Sequence, residues 1–252
     1  MADIPNRDEL EKQLAKELAR LFQGVSGHLM ELLEEYGYNI ERIPASVWSG
    51  LTMQQKEVLL PFLESVAIAS AERLAEASAI SVEWTLVNQA AADWARGYST
   101  ILAGQIDATS REAIATGIRN SIASYFEEGL TMGQLRDRLN ADPDIAKLFT
   151  KDVRDRLGRI YGPKRAEMIS VTEVTRASMQ GEVVIVDELA KQGIQMRAFW
   201  NTNNDELVCQ ICEPRNGIEK GKGAGDAYWI DENPAHPRCR CSISHQLPKA
   251  KP

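Results

Sequence analysis

The sequence predicts an α+β protein, a mainly helical body followed by a small C-terminal module of strand and loop. Three observations carry this. Apolar residues recur at three- and four-residue spacing through most of the first 193 residues, the period of amphipathic helices. After Gly193 that period vanishes, and Asn, Gly, Pro and Lys dominate as far as Pro237. All four cysteines lie in this later stretch, between positions 209 and 241. The expected division is an N-terminal helical region over 1–90, a helical body over 91–193 and a C-terminal module over 194–252.

The first helix is expected from about Arg7 to Tyr36, where Leu10, Leu14, Leu18, Leu21, Phe22, Val25, Leu29, Leu32 and Leu33 form one apolar stripe. Gly37 stands where a helix-terminating glycine belongs. Thr52 to about Ala79 and Val82 to Gly97 read as further helices, with Pro61 marking a kink or a boundary. Thr109-Ser110-Arg111-Glu112 fits a capping box, which predicts a helix start there, running to about Glu128 before Gly129. Thr131-Met132-Gly133-Gln134 repeats the pattern before a short helix ending near Asn140, and Asp142-Pro143 predicts a break. A long helix is expected from about Lys164 to Lys191. Gln195 to Thr202 reads as a strand, and Cys239 to Leu247 as a closing one.

At 44% hydrophobic and 26% charged, the chain can bury a core. It has no apolar run of about eighteen residues, so no membrane span is expected. The N-terminus is acidic and polar where a secretory signal is basic and then apolar, which predicts a protein made and kept in a cytosol or packaged from one. Charge is uneven. Residues 1–150 hold 13 basic and 22 acidic side chains, a balance of −9, and residues 151–252 hold 16 and 14, a balance of +2. The acidic half argues against a broad phosphate-binding surface, which needs clustered Lys and Arg. His28 reads as a helix surface residue, and Arg154, Arg156, Arg159, Lys164 and Arg165, interleaved with Asp152 and Asp155, as a solvated helix face. Trp48, Trp84, Trp94, Trp200 and Trp229 read as core or interface residues.

The chemistry lies in Cys209-Gln210-Ile211-Cys212, then 23 residues, then His236-Pro237-Arg238-Cys239-Arg240-Cys241. Two cysteines three positions apart make a tight turn whose sulfurs can face one ion, and a remote second pair closes a tetrahedron suited to Zn²⁺. Thiolate and imidazole suit that cation better than Mg²⁺ or Ca²⁺. The intervening segment has few large apolar residues beyond Tyr228, Trp229 and its isoleucines, so bound metal would supply folding free energy that it lacks. Cys209, Cys212, His236, Cys239 and Cys241 are five candidates for four places, and either Cys239 or Cys241 can take the last. Four or five strong ligands leave no vacancy, which favours a closed structural site and predicts no catalytic residue.

Asp205-Glu206-Leu207-Val208-Cys209-Gln210-Ile211-Cys212, then Asn216-Gly217, then Pro234-Ala235-His236-Pro237-Arg238-Cys239-Arg240-Cys241, resembles the C-terminal signature of the phage Mu F-like minor head protein family. Thr172-Glu173 matches a Thr-Glu pair on the preceding helix of that family. The resemblance is firm over residues 165–243 and looser over 94–150. One departure is Val171, where relatives carry Arg; Glu173 then needs another partner, and Arg176 stands one turn on. A plain helix surface is the other reading of Thr172-Glu173. The resemblance implies a tailed-phage or prophage virion protein acting in head morphogenesis. It would sit in the head interior or at the portal vertex, associate with portal and with capsid or scaffold proteins, and reside in the host cytoplasm during assembly.

Two rivals come from other classes. One is a metal-dependent nuclease or transferase with Glu173 or Glu206 as base; Asp205, Glu213 and His245 are also at hand. The other is a zinc-knuckle nucleic-acid-binding protein, in which Arg238, Arg240, Lys220 and Lys222 face phosphates. Weak contact with packaged DNA is compatible with the minor head reading as well.

Overall fold

A computed structural model of the protein describes residue 4 and residues 6–78, 81–126, 130–202, 208–221 and 233–247. The architecture is α+β and mainly helical, with a small antiparallel sheet near the C-terminus. The helices in order are α1 (Arg7–Glu35), α2 (Ala45–Ser78), α3 (Trp84–Tyr125), α4 (Met132–Ala141), α5 (Pro143–Ile160) and α6 (Pro163–Lys191). Strands β1 (Arg197–Asn201) and β2 (Ser242–Gln246) pair in register from Arg197 opposite Gln246 to Asn201 opposite Ser242. Among the described residues, no helix is long and apolar enough to cross a membrane.

Several boundaries follow their sequence signals. Gly37 takes a φ of +64° just past α1, and Gly193 one of +83° past α6, a conformation glycine adopts without steric cost. Thr131 caps α4 with both bonds of the capping box in place.

Others do not. The expected helix start at Thr109 is corrected: α3 runs unbroken from Trp84 to Tyr125, and Thr109 Oγ1 donates back to the Gln105 carbonyl at 2.8 Å. Leu102, Ala103, Ile106, Ser110, Ile114, Ile118 and Ile122 keep one buried stripe through this point, and burial outweighs a local cap signature. Pro61 does not divide α2 either. Leu59, Leu63, Val66 and Ala67 are buried on both sides of it, enough to offset a proline cost of about 3 kcal/mol. Asp142-Pro143 starts a helix as well as breaking one. The Asp142 carboxylate accepts from the amides of Asp144 and Ile145, both at 3.1 Å, and Pro143 opens α5, a helix whose start the sequence reading did not place.

The chain forms two compact units, one of residues 1–14, 59–99 and 167–252, the other of 15–58 and 100–166. They interleave along the chain, whereas the expected segments 1–90, 91–193 and 194–252 are successive stretches. In the second unit Phe22 meets Tyr161 edge-on at 5.6 Å and Tyr38 meets Phe149 at 4.9 Å. The expected solvated face on α5 and α6 is only partly so. Arg154 is exposed, but Arg165 donates to Ser110 Oγ and Thr109 Oγ1, both at 2.8 Å, and to the Ile160 carbonyl.

In the first unit α2 and α6 approach closely at Gly181, where a Cβ would overlap the Ala67 backbone. Ala71, Leu74, Ala75, Val87, Ile185 and Leu189 form one core there. A second comprises Met179, Ala198, Trp200, Ile243 and the buried Cys212, Cys239 and Cys241. Ala198 and Trp200 are the buried members of β1, the alternation that a pleated strand imposes. Trp48 is buried, Trp84 is exposed on α3, and Trp229 lies outside the described residues.

Candidate metal centre

Two turns and one strand entry bring the donors together. In the first turn the Cys212 amide donates to the Cys209 carbonyl at 3.0 Å and the Glu213 amide to the same oxygen at 2.9 Å. The chain beyond it is stitched along β1: Gly217 and Lys220 donate to the carbonyls of Trp200 and Ala198, and Trp200 donates to that of Ile218. Arg197 holds Glu219 by two bonds of 2.7 and 2.6 Å, and the Asn216 side chain accepts the Thr202 amide. In the second turn the Cys239 amide donates to the His236 carbonyl at 3.1 Å.

His236 Nε2 lies 3.1 Å from Cys209 Sγ and 3.3 Å from Cys212 Sγ, and Cys212 Sγ lies 3.9 Å from Cys239 Sγ. The donors form two sets, Cys209, Cys212 and His236, and Cys212, Cys239 and Cys241, each with its atoms within 4.8 Å of one another. Cys212 belongs to both. His236 Nδ1 is 2.8 Å from the Pro237 carbonyl oxygen, which only accepts, so Nδ1 carries the proton and Nε2 keeps its lone pair toward the sulfurs. All four cysteines are free thiols. This donor set could bind a metal ion, and each expected residue is in it.

The thiols differ in acidity. The hydrogen bond from Cys241 brings the Cys239 thiol down to about 5 against the effect of burial, aided by the amides of Cys241 and Ala235 and by His236. Cys241 is pushed far up as that bond's donor and by burial. Burial also pushes Cys212 up, with repulsion from Cys239. At Cys209 burial opposes ionisation, but bonds from the amides of Cys212 and Ile211 and from the Cys212 thiol, with the nearby His236, bring the thiol below its ordinary value. A cation placed among them would favour the thiolate at each.

Two side chains remote in sequence and one nearby hold three successive carbonyls of this segment. Thr175 Oγ1 lies 2.8 Å from the Cys239 oxygen, Arg7 Nη1 donates to the Arg240 oxygen at 2.8 Å, and Asn233 Nδ2 donates to the Cys241 oxygen at 3.3 Å. Buried Arg7 also bonds Glu11 at 2.8 Å and the Thr175 hydroxyl, and Arg240 bonds Glu11 and, at 3.0 Å, Asp8. Sequence reading missed Arg7, Glu11, Thr175 and Asn233. Arg7 meets Arg240 across 233 positions, and no local pattern encodes such a pairing.

Thr172-Glu173 is not a plain helix surface. Thr172 Oγ1 accepts the Arg238 amide at 2.9 Å, tying the second turn to α6. Glu173 is 5% exposed; Tyr98 donates to it at 2.9 Å, and Arg176 stands at 3.4 Å as the expected partner. His245 is committed too, its Nδ1 2.8 Å from Glu182 Oε2, and Glu182 also meets Arg73. Glu213 is exposed at the end of the first turn, His28 is half-exposed near Glu31, and Asp205, Glu206 and Lys222 lie outside the described residues.

Compared with models of known families, with curated proteins and with solved structures, the chain finds no match.

Proposed function

We propose that this chain is a zinc-stapled minor head protein of a tailed phage or prophage, acting in head morphogenesis by binding portal and capsid or scaffold subunits, not by turnover. The convergence of Cys209, Cys212, His236, Cys239 and Cys241 carries the reading. These are the residues on which the resemblance to minor head proteins rests, and 23 positions of chain separate their two groups. Thiolates with one imidazole suit Zn²⁺, and among the described residues the module's two short strands share a small core in which three of the buried members are the cysteines themselves. The ion, when bound, supplies folding free energy on the order of 10 kcal/mol or more. The residues around it orient donors: Pro237 sets the His236 tautomer, and Thr175, Arg7 and Asn233 hold the Cys239–Cys241 backbone. In this reading the protein resides in the host cytoplasm during assembly and then in the head interior or at the portal vertex.

The other readings find less support. Arg238 pairs with Glu167, and Arg240 with Asp8 and Glu11, so phosphates would have to displace carboxylates. Glu173 is bonded to Tyr98 and Arg176, an arrangement that leaves little of a free base.

Metal content by mass spectrometry, paired with capture of a tailed-phage portal subunit, tests the proposal. Wild type should carry about one zinc per chain and retain the portal, while Cys209→Ser should lose the metal. A metal-free but folded wild type sinks the zinc reading, and a loaded protein that captures no portal, capsid or scaffold subunit sinks the assembly role.

A further inference from the structure

Five donors compete for the four places of a tetrahedral ion. Four of them are the first and fourth residues of two similar turns. Residues 209–212 and 236–239 are each closed by the fourth residue's amide on the first residue's carbonyl, at 3.0 and 3.1 Å. Cys241 belongs to neither turn. It directly precedes β2 and is buried with Ile243 and Met179, its carbonyl held by Asn233. The turns already nearly meet: Cys212 Sγ and Cys239 Sγ stand 3.9 Å apart. Two sulfurs each about 2.3 Å from one tetrahedral ion are separated by about 3.8 Å. Cys241 nonetheless lies within 4.8 Å of both Cys212 and Cys239, and it borders a small void lined also by Thr175, Ser178 and Asn233. Its sulfur thus has an ion-facing position within reach.

Resting on the metal reading above, we infer that Cys209, Cys212, His236 and Cys239 hold the ion, and that Cys241 is a reserve thiol that takes the place of Cys239 when that sulfur is lost. The backbone makes the exchange feasible. The Cys239 and Arg240 carbonyls are fixed by side chains of α6 and α1, and the Cys241 carbonyl by Asn233 of the same segment, so either sulfur is presented without refolding. The exchange gives up the metal–sulfur contact of Cys239, breaks the S–H bond of Cys241 and forms a metal–sulfur contact there, with the Cys241 proton passing to solvent.

The test uses the full chain as wild type, Cys209→Ser, Cys241→Ser, Cys241→Ala, Cys239→Ser and the double variant Cys239→Ser/Cys241→Ser. Zinc per chain, its release to a chromogenic chelator and the thiolate charge-transfer band after Co²⁺ substitution are read, with circular dichroism reporting the helices. The Cys241 single variants should match wild type in zinc and in the band. Cys239→Ser should keep its zinc and an unchanged number of thiolates, with affinity lower on the order of tenfold. The double variant should be empty. Loss of zinc from both helical Cys241 single variants, as from Cys209→Ser, overturns the assignment, and so does a double variant no weaker than Cys239→Ser. A zinc-free wild type overturns the metal reading itself, which separates the two failures.

Discussion

Glu173 is a carboxyl held among apolar neighbours on α6, and burial raises its pKa above the ordinary glutamate value although Arg176 and Tyr98 pull it down. A carboxyl whose folded pKa exceeds its unfolded one binds protons more tightly in the native state. Its contribution to stability is therefore full below the unfolded value of about 4.3 and is lost as pH rises through the folded value. Glutamine in its place still accepts the Tyr98 hydroxyl but does not titrate. The melting temperature of Glu173→Gln relative to wild type should accordingly increase from about pH 4 to about pH 8. Calorimetry across that range checks it, and a relative stability that falls with pH would show that the Arg176 pair outweighs burial.

At the scale of elements, α6 brings the first unit together. One of its faces gives Thr172 and Thr175 to the second turn and the Cys239 carbonyl, and Glu182 to His245 of β2. Gly181 lets the same helix lie against the Ala67 backbone of α2. Alanine has the better helix propensity by about 1 kcal/mol, yet its methyl group has no space here. Gly181→Ala should therefore destabilise the protein by about 1–3 kcal/mol through forced separation of the helices. The urea midpoint measures this, and an unchanged or raised midpoint would mean that the approach is looser than described.

At the scale of the whole molecule, every candidate ligand lies in the unit of residues 1–14, 59–99 and 167–252. The unit of residues 15–58 and 100–166 has its own buried set, among them Phe22, Leu29, Trp48, Phe149 and Leu157. Metal removal should act unevenly. With chelator present, hydrogen exchange should accelerate at amides of 208–221 and 233–247, while those of α4 and α5 keep their protection. Uniform loss of protection throughout the chain would show the metal supporting the entire fold cooperatively, contrary to this expectation.

The donor residues and the passage from helix to strand were readable directly, because Cys-x2-Cys spacing, glycine at helix ends and hydrophobic period are local signals. Gly37, the Thr131 cap and the existence of β1 follow for the same reason. Local signals failed where burial competed with them. Thr109 looks like a helix start but lies inside α3, and Pro61, a kink or boundary signal, is no boundary and lies inside α2, because buried stripes continue on both sides of each. The metal centre divides in the same way. Sequence determined which five side chains could take an ion; tertiary structure decided that two turns oppose one another, that Cys212 is shared, and that Arg7, Thr175 and Asn233 grip the carbonyls between them. The Thr175 and Arg7 contacts join residues 64 and 233 positions apart, and the Asn233 contact joins residues eight apart across a loop. The energy that selects them arises only once the chain has closed and the surrounding water has been expelled.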